Sequence, residues 1–176
     1  FGVYTVRSDA RVRELDHGTT VHGIQLTGSE VRERTPTTYY SVGSGVGQAM
    51  TIAPIYGPAA RVGVVGLGTG TLACYARPGQ SWRVYEIDPA VAAIAADPRR
   101  FTCLSECTPD ARILIGDARL TLARQPAAGH DVLVIDAFSS DAVPMHLLTL
   151  EALDIYARAL APRGLLVMHV SNRFLD

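Results

Sequence analysis

Lysine is absent from this chain: all 16 basic residues are arginines. That excludes Schiff-base and lysine-nucleophile chemistry and otherwise reads as codon bias. An excess of one charge is missing too. Seventeen acidic residues against 16 basic ones give a net charge of −1, so there is no electrostatic footprint for a nucleic-acid partner. Cysteine is scarce, with Cys74, Cys103 and Cys107 and no C-x-x-C pair. An odd count without a secretory signal reads as reduced thiols in a cytoplasmic protein. Cys103 and Cys107 fit one helix face, but two thiols with no His or Asp beside them are not a zinc site. His17, His22, His146 and His169 are scattered, as packed or surface histidines are, and no metal is expected. No apolar run reaches the ~18 residues of a membrane span, so this segment is expected to make no direct membrane contact.

What is present is a core-forming composition, 48% hydrophobic over 176 residues, and one organising stretch. In Arg61-Val62-Gly63-Val64-Val65-Gly66-Leu67-Gly68-Thr69-Gly70 a β-branched run predicts a buried strand. Gly66, Gly68 and Gly70 then predict a tight turn that a ligand can approach closely, because no Cβ intervenes. A helix over 70–76 would point its unpaired N–H groups into that turn. The spacing is G-x-G-x-G, not the G-x-G-x-x-G of pyrophosphate-binding loops. It suits a nucleoside without phosphate, such as S-adenosylmethionine or a relative.

Residues 1–40 differ in texture from the rest. Short strands at 3–6, 12–15 and 20–26 predict a small antiparallel β domain, with Gln25 facing opposite His22, Ile24 and Leu26. Residues 35–40 form a connector and 47–55 a helix. From Arg61 onward, strands at 61–65, 82–86, 112–115, 131–135 and 164–170 alternate with helices at 70–76, 89–96, 118–124 and 149–160. This predicts an α/β fold, a Rossmann-like, doubly wound parallel sheet of the S-adenosylmethionine-methyltransferase type. It divides the chain into a small β-strand domain at 1–40 and a nucleoside-binding catalytic domain at 41–176. Both ends read as cut. Phe1 already lies in a strand, the last strand stops six residues before the terminus, and further C-terminal strands are expected to be missing.

Three carboxylates fall where successive strands end. Glu86 closes Trp82-Arg83-Val84-Tyr85-Glu86, where an acid can accept two ribose hydroxyls. Asp88-Pro89 beside it reads as a helix N-cap with proline at the first helical position. Asp117, in Gly116-Asp117-Ala118, can meet an adenine amino group or cap the next helix. Asp136 follows Val132-Leu133-Val134-Ile135 and shares a loop with Asp141, which reads either as a polar turn with Asp141 as a cap or as an acidic pocket for a cationic co-substrate.

In that order these motifs resemble the polyamine aminopropyltransferases, the spermidine synthase family, and especially its bacterial spermidine synthase-like members, often fused to membrane segments. Leu15-Asp16…Gly23-Ile24-Gln25 is similar to that family's strand before the nucleotide domain, and the match runs from about residue 15 to 175. The resemblance implies roles. Gly66, Gly68, Thr69 and Gly70 would form the donor loop, Glu86 would bind ribose, and Asp117 with Ala118 would meet adenine. Asp136 would be the catalytic base and Asp141 the amine's second anchor, with Gln25, Tyr39 and Tyr40 lining the acceptor pocket. An aminopropyl group would pass from decarboxylated S-adenosylmethionine to a polyamine such as putrescine, without a metal, in a homodimer. The chain would be cytoplasmic, or the cytosolic part of a longer membrane-fused protein.

Departures from the family pattern bear on the donor. Its loop usually reads G-G-G-D-G, and the position of that acid is Thr69, which leaves open whether the donor has lost its carboxylate. The Asp136-to-Asp141 loop is longer than the family's D-S-S-D, and Tyr40 is followed by Ser41 rather than Glu. The alternatives are an S-adenosylmethionine-dependent methyltransferase, which lacks its N/D-P-P-Y/F motif here, and a catalytically silent nucleoside-binding domain of a larger protein.

Overall fold

The computed structural model describes residues 3–18, 20–137 and 144–170. Strands β1 (Tyr4–Ser8), β2 (Val12–His17) and β3 (Thr20–Leu26) form an antiparallel sheet in that order. Asp9 makes the first turn, its carboxylate accepting the N–H groups of Arg11 and Val12 at 2.6 and 2.9 Å. The β2–β3 register shifts between Leu15 and Asp16, as a bulge does when it re-aims side chains.

A short helix α1 (Glu30–Glu33), a 3-10 turn at Thr38–Tyr40 and helix α2 (Gly45–Ile52) lead to the second sheet. That sheet holds β4 (Arg61–Val65), β5 (Ser81–Glu86), β6 (Arg112–Ile115), β7 (His130–Ile135) and β8 (Leu160–Met168). All its pairs are parallel and the order is β6-β5-β4-β7-β8. Alternation along these strands builds two cores. Val62, Val64, Val84, Val132 and Val134 pack beneath α2, a 3-10 turn at Thr71–Tyr75, α3 (Pro89–Ala96) and α4 (Cys103–Cys107). Val65, Tyr85, Leu133 and Ile135 pack beneath α5 (Ala118–Ala123) and α6 (Leu150–Ala159) on the other face. The doubly wound α/β expectation holds. Its strand order reverses between β4 and β7, where such sheets open a crevice at their carboxyl ends.

The differences are local. The expected helix at 70–76 is a 3-10 turn, because Pro78 pushes Arg77 away from helical angles and Ala76 is already extended at ψ 144°. β8 starts at Leu160 instead of 164: Leu160 pairs with His130, the register then shifts, and Leu165 pairs with Val132. Arg163 takes up the slack with φ 66°. The segments α1, α4 and the two 3-10 turns at 38–40 and 145–147 are too short to carry a periodic signal. No helix among the described residues is long and apolar enough to cross a membrane.

At the far end of the sheet Arg61 ties β4 to β7. Its Nη2 and Nε donate to the two carboxylate oxygens of Asp131 at 2.8 and 3.0 Å, and its main-chain N–H donates to Oδ2 at 2.8 Å. Arg61's side chain is 43% exposed, so screening limits the pair, and Asp131→Asn is expected to cost about 1 kcal/mol at neutral pH. Arg61's hydrogen bonds hold the Asp131 carboxyl below its ordinary pKa. The stability that Asp131 adds is therefore present above the ordinary carboxylate range and is lost as pH falls through the lowered value. Urea unfolding should show wild type and variant converging in acid.

Candidate functional site

The ends of all five parallel strands and the antiparallel sheet border a cavity of about 500 Å³. Its floor is the turn after β4. Gly66 has φ 92°, and a Cβ there would run into the main-chain oxygen of Asp136; only glycine lets the ends of β4 and β7 approach so closely. Gly68 has φ 54° and sits under β3, where a Cβ would come to 2.5 Å from the carbonyl oxygen of His22. Tyr4 adds a further tie between the sheets, its hydroxyl donating to Asp88 Oδ2 at 2.8 Å.

On one side of the cavity lies Glu86, 6% exposed. Its two oxygens accept the Leu67 and Asp88 main-chain N–H groups at 2.9 and 2.8 Å, which fixes the carboxylate and leaves lone pairs for further donors. Burial pushes its pKa up, and these same hydrogen bonds oppose the rise. Asp88 also caps α3, accepting from Ala90 N–H at 2.8 Å, as expected. Of the two roles open to Asp117, the structure shows the helix cap. Oδ1 caps α5 through Leu120 N–H at 3.0 Å, while Oδ2 lies 3.2 Å from His146 Nε2 in the cavity wall beside Ala118.

On the other side stands Asp136, 8% exposed at the tip of β7. The Tyr40 hydroxyl donates to its Oδ2, and His169 Nδ1 lies 2.6 Å from its Oδ1. Burial raises the carboxyl's pKa, against the lowering effect of the His169 and Tyr40 hydrogen bonds. The His169 ring packs 4.7 Å from that of Tyr39. Burial and the Asp136 charge push the Tyr39 hydroxyl up to about 12. A carboxylate held by Tyr40 and His169, with a second carboxylate two strands away on the same cavity, can accept and orient cationic or hydroxyl-bearing groups.

The structure brings Gly66, Gly68, Glu86, Asp117, Ala118, Asp136, Tyr39 and Tyr40 to this cavity. Three expected residues are elsewhere. Gln25 is 1% exposed and holds β3 to α4 and α1: Nε2 donates to Thr102 Oγ1 and the Glu33 carbonyl at 2.7 and 3.0 Å, and Oε1 accepts from Thr102 N–H at 3.0 Å. Thr69 turns its side chain onto Gly23, where a Cβ would clash with it, and pairs with Thr71 Oγ1 at 2.8 Å. Gly70 faces Leu104 in the core. Asp141 lies outside the described residues.

Sequence reasoning misses the histidines. His17, His22, His146 and His169 all line the cavity, the first two with their rings 5.7 Å apart. One signal is available. His169 follows β8 as Asp136 follows β7, and position at a strand tip is the same criterion that selects the acids. Among the described residues no group of His, Cys, Asp and Glu could hold a metal ion. Cys103 and Cys107 do share α4, with Cys74 Sγ 3.4 Å from Cys103 Sγ, and all three thiols are free.

A five-stranded parallel sheet with this order and a glycine turn at its reversal point defines an α/β protein of the S-adenosylmethionine-methyltransferase-like class. Comparison with known proteins narrows that class. No protein-family model matches the chain. It is 31% identical over 112 residues to a polyamine aminopropyltransferase of Vibrio vulnificus, covering 61% of this chain and 36% of that protein. In fold it is similar to a probable spermidine synthase from Corynebacterium glutamicum: TM-score 0.78, 20% identity, 96% of this chain and 60% of that one. The chain is also similar to CalS10, an amino pentose methyltransferase from Micromonospora echinaspora, with TM-score 0.52 and 26% identity over 73% of this chain and 52% of that one. The chain resembles the spermidine synthase, or polyamine aminopropyltransferase, family in sequence over part of its length and in fold. It spans about a third of the length of the curated relative that it matches.

Proposed function

We propose that the cavity carries out aminopropyl transfer from decarboxylated S-adenosylmethionine to a polyamine such as putrescine. The observation that carries this reading is Asp136, pinned by Tyr40 and His169 on the wall opposite Glu86. Gly66 and Gly68 cradle the nucleoside, Glu86 accepts its ribose hydroxyls, and Asp117 with Ala118 meets the adenine. Tyr39 and Tyr40 line the acceptor side, and Asp141 holds the amine's far end. The amine nitrogen attacks the aminopropyl carbon, the carbon–sulfur bond breaks, and methylthioadenosine leaves as a neutral thioether. An alkylammonium with a pKa near ~10 must first shed a proton, and Asp136 is the group on which that step depends. The reaction belongs in the cytoplasm, and the homodimer that the family resemblance implies is checked by mass in solution.

Incubation with decarboxylated S-adenosylmethionine and putrescine should yield methylthioadenosine; no release of it at any pH overturns the reading. Thr69 favours one alternative. With its side chain buried on Gly23, residue 69 offers nothing that repels a donor carboxylate, so methyl transfer from intact S-adenosylmethionine is the second reading. Adenosylhomocysteine would be its product.

Glu86→Gln is expected to weaken donor binding about 10–100-fold, the worth of hydrogen bonds to a charged acceptor, with turnover retained at saturating donor. Because burial raises the pKa of Glu86, wild-type affinity should begin to fall, as pH drops, above the range in which an ordinary carboxyl titrates. Calorimetric titration against pH checks both.

A further inference from the structure

We infer that Tyr4 is a positioning residue for the ribose: its hydroxyl, acting through Asp88, holds the Glu86 carboxylate where the sugar's hydroxyls meet it. This rests on the nucleoside reading of the cavity and extends it to the antiparallel sheet. Tyr4, Glu86 and Asp88 all line that cavity. Tyr4 comes from β1, and the two acids come from the end of β5 and the corner after it.

The connection is a run of hydrogen bonds. The Tyr4 hydroxyl donates to Asp88 Oδ2 at 2.8 Å. The main-chain N–H of Asp88 donates to Glu86 Oε1, also at 2.8 Å, and Leu67 N–H reaches Glu86 Oε2 at 2.9 Å. Asp88 Oδ1 accepts from Ala90 N–H at the start of α3. The corner residue is thus held at both carboxylate oxygens, and its own N–H fixes one oxygen of Glu86.

Packing does not ask for the hydroxyl. The Tyr4 ring lies 4.7 Å from that of His17, its register partner on β2, and a phenylalanine ring fits the same place. Asp88 does ask for it. That residue is 3% exposed, and a buried carboxylate oxygen that loses its donor is costly. The corner then shifts to bring Oδ2 to water, and the Asp88 N–H moves off Glu86 with it. Burial, the Asp88 hydrogen bond and the charges of Asp88 and Glu86 all push the Tyr4 pKa upward, so the hydroxyl keeps its proton at neutral pH.

The role is confined to binding. Asp136 follows β7, and β4 lies between β7 and β5, so the acceptor side keeps its geometry when the β5 corner loosens.

Calorimetry of Tyr4→Phe with two probes tests this: methylthioadenosine and its 2′,3′-dideoxy analogue, which lacks the ribose hydroxyls. The variant should bind methylthioadenosine about 3–10-fold more weakly, the worth of one net hydrogen bond, and the dideoxy compound as wild type does. On a Glu86→Gln background the same change should cost nothing further, because the two residues act in one chain. In turnover with putrescine the donor's KM should rise by the same factor with kcat unchanged. Unaltered methylthioadenosine affinity, or a fall in kcat at constant KM, overturns the inference. Equal weakening of both probes, or the full loss again on the Glu86→Gln background, also overturns it, leaving a tie between sheets with no bearing on the ribose. A wild type that fails to bind methylthioadenosine sinks the nucleoside reading itself, and the inference with it.

Discussion

Asp136→Asn is expected to lower turnover about 10³–10⁴-fold while leaving donor affinity within about threefold. Asparagine keeps the shape but has one acceptor oxygen in place of two. It cannot accept from both the Tyr40 hydroxyl and the His169 ring nitrogen, so its amide must donate to one of them. Glu86 and the glycine turn, to which the proposed function gives the nucleoside, are untouched by the change. The measurement is methylthioadenosine release beside calorimetric titration of the donor. Turnover within tenfold of wild type would remove Asp136 from proton handling.

Folding stability should respond to pH at the same residue. Burial raises the Asp136 carboxyl above its ordinary pKa, so the folded state binds the more tightly held proton there. Stability falls as pH rises through the window between the ordinary and the raised value. Asn cannot ionise, and that part of the pH slope disappears with it.

Gly66→Ala is expected to destabilise the protein by about 2–5 kcal/mol and to abolish donor binding. The backbone at φ 92° costs an L-residue about 1–2 kcal/mol. Forcing a methyl group against the Asp136 carbonyl and the Ala137 Cα adds about 1–3 kcal/mol of overpacking, with main chain on both sides and no flexible side chain to yield. Gly43→Ala is the control: a methyl group added there meets no heavy atom within 4 Å, and a change below about 0.5 kcal/mol is expected. Urea midpoints at unchanged slope read both. A Gly66→Ala protein as stable as Gly43→Ala would mean that β4 and β7 are not held so close.

Much of the fold was legible because its central strands are buried on both faces. Val62-Gly63-Val64-Val65 and Val132-Leu133-Val134-Ile135 are continuous apolar runs that no surface element carries. Asp88-Pro89 announces the start of α3 through a cap and a fixed φ. The acids at 86, 117 and 136 were findable because parallel strands deliver their ends to one edge. What could not be read was direction. Nothing in the order of residues says that Thr69 turns onto Gly23 or that Gln25 spends both ends of its amide on Thr102 and Glu33. Those outcomes depend on how the antiparallel sheet lies against the parallel one. The histidines' place in the cavity wall was hidden for a related reason: His17 and His22 are gathered by hairpin pairing and His169 by strand register, relations between distant positions that spacing along the chain does not encode.

The carbonyl of His22 resting on Gly68, Thr69 lodged against Gly23, and Tyr4 bonded to Asp88 have a mechanical consequence. One wall of the chamber is carried by an independently hydrogen-bonded ribbon, so beyond the swing of the Tyr4, His17 and His22 side chains its width is set by main chain. A guest too bulky for that swing would have to shear one ribbon past the other, against the stiffness of pleated backbone.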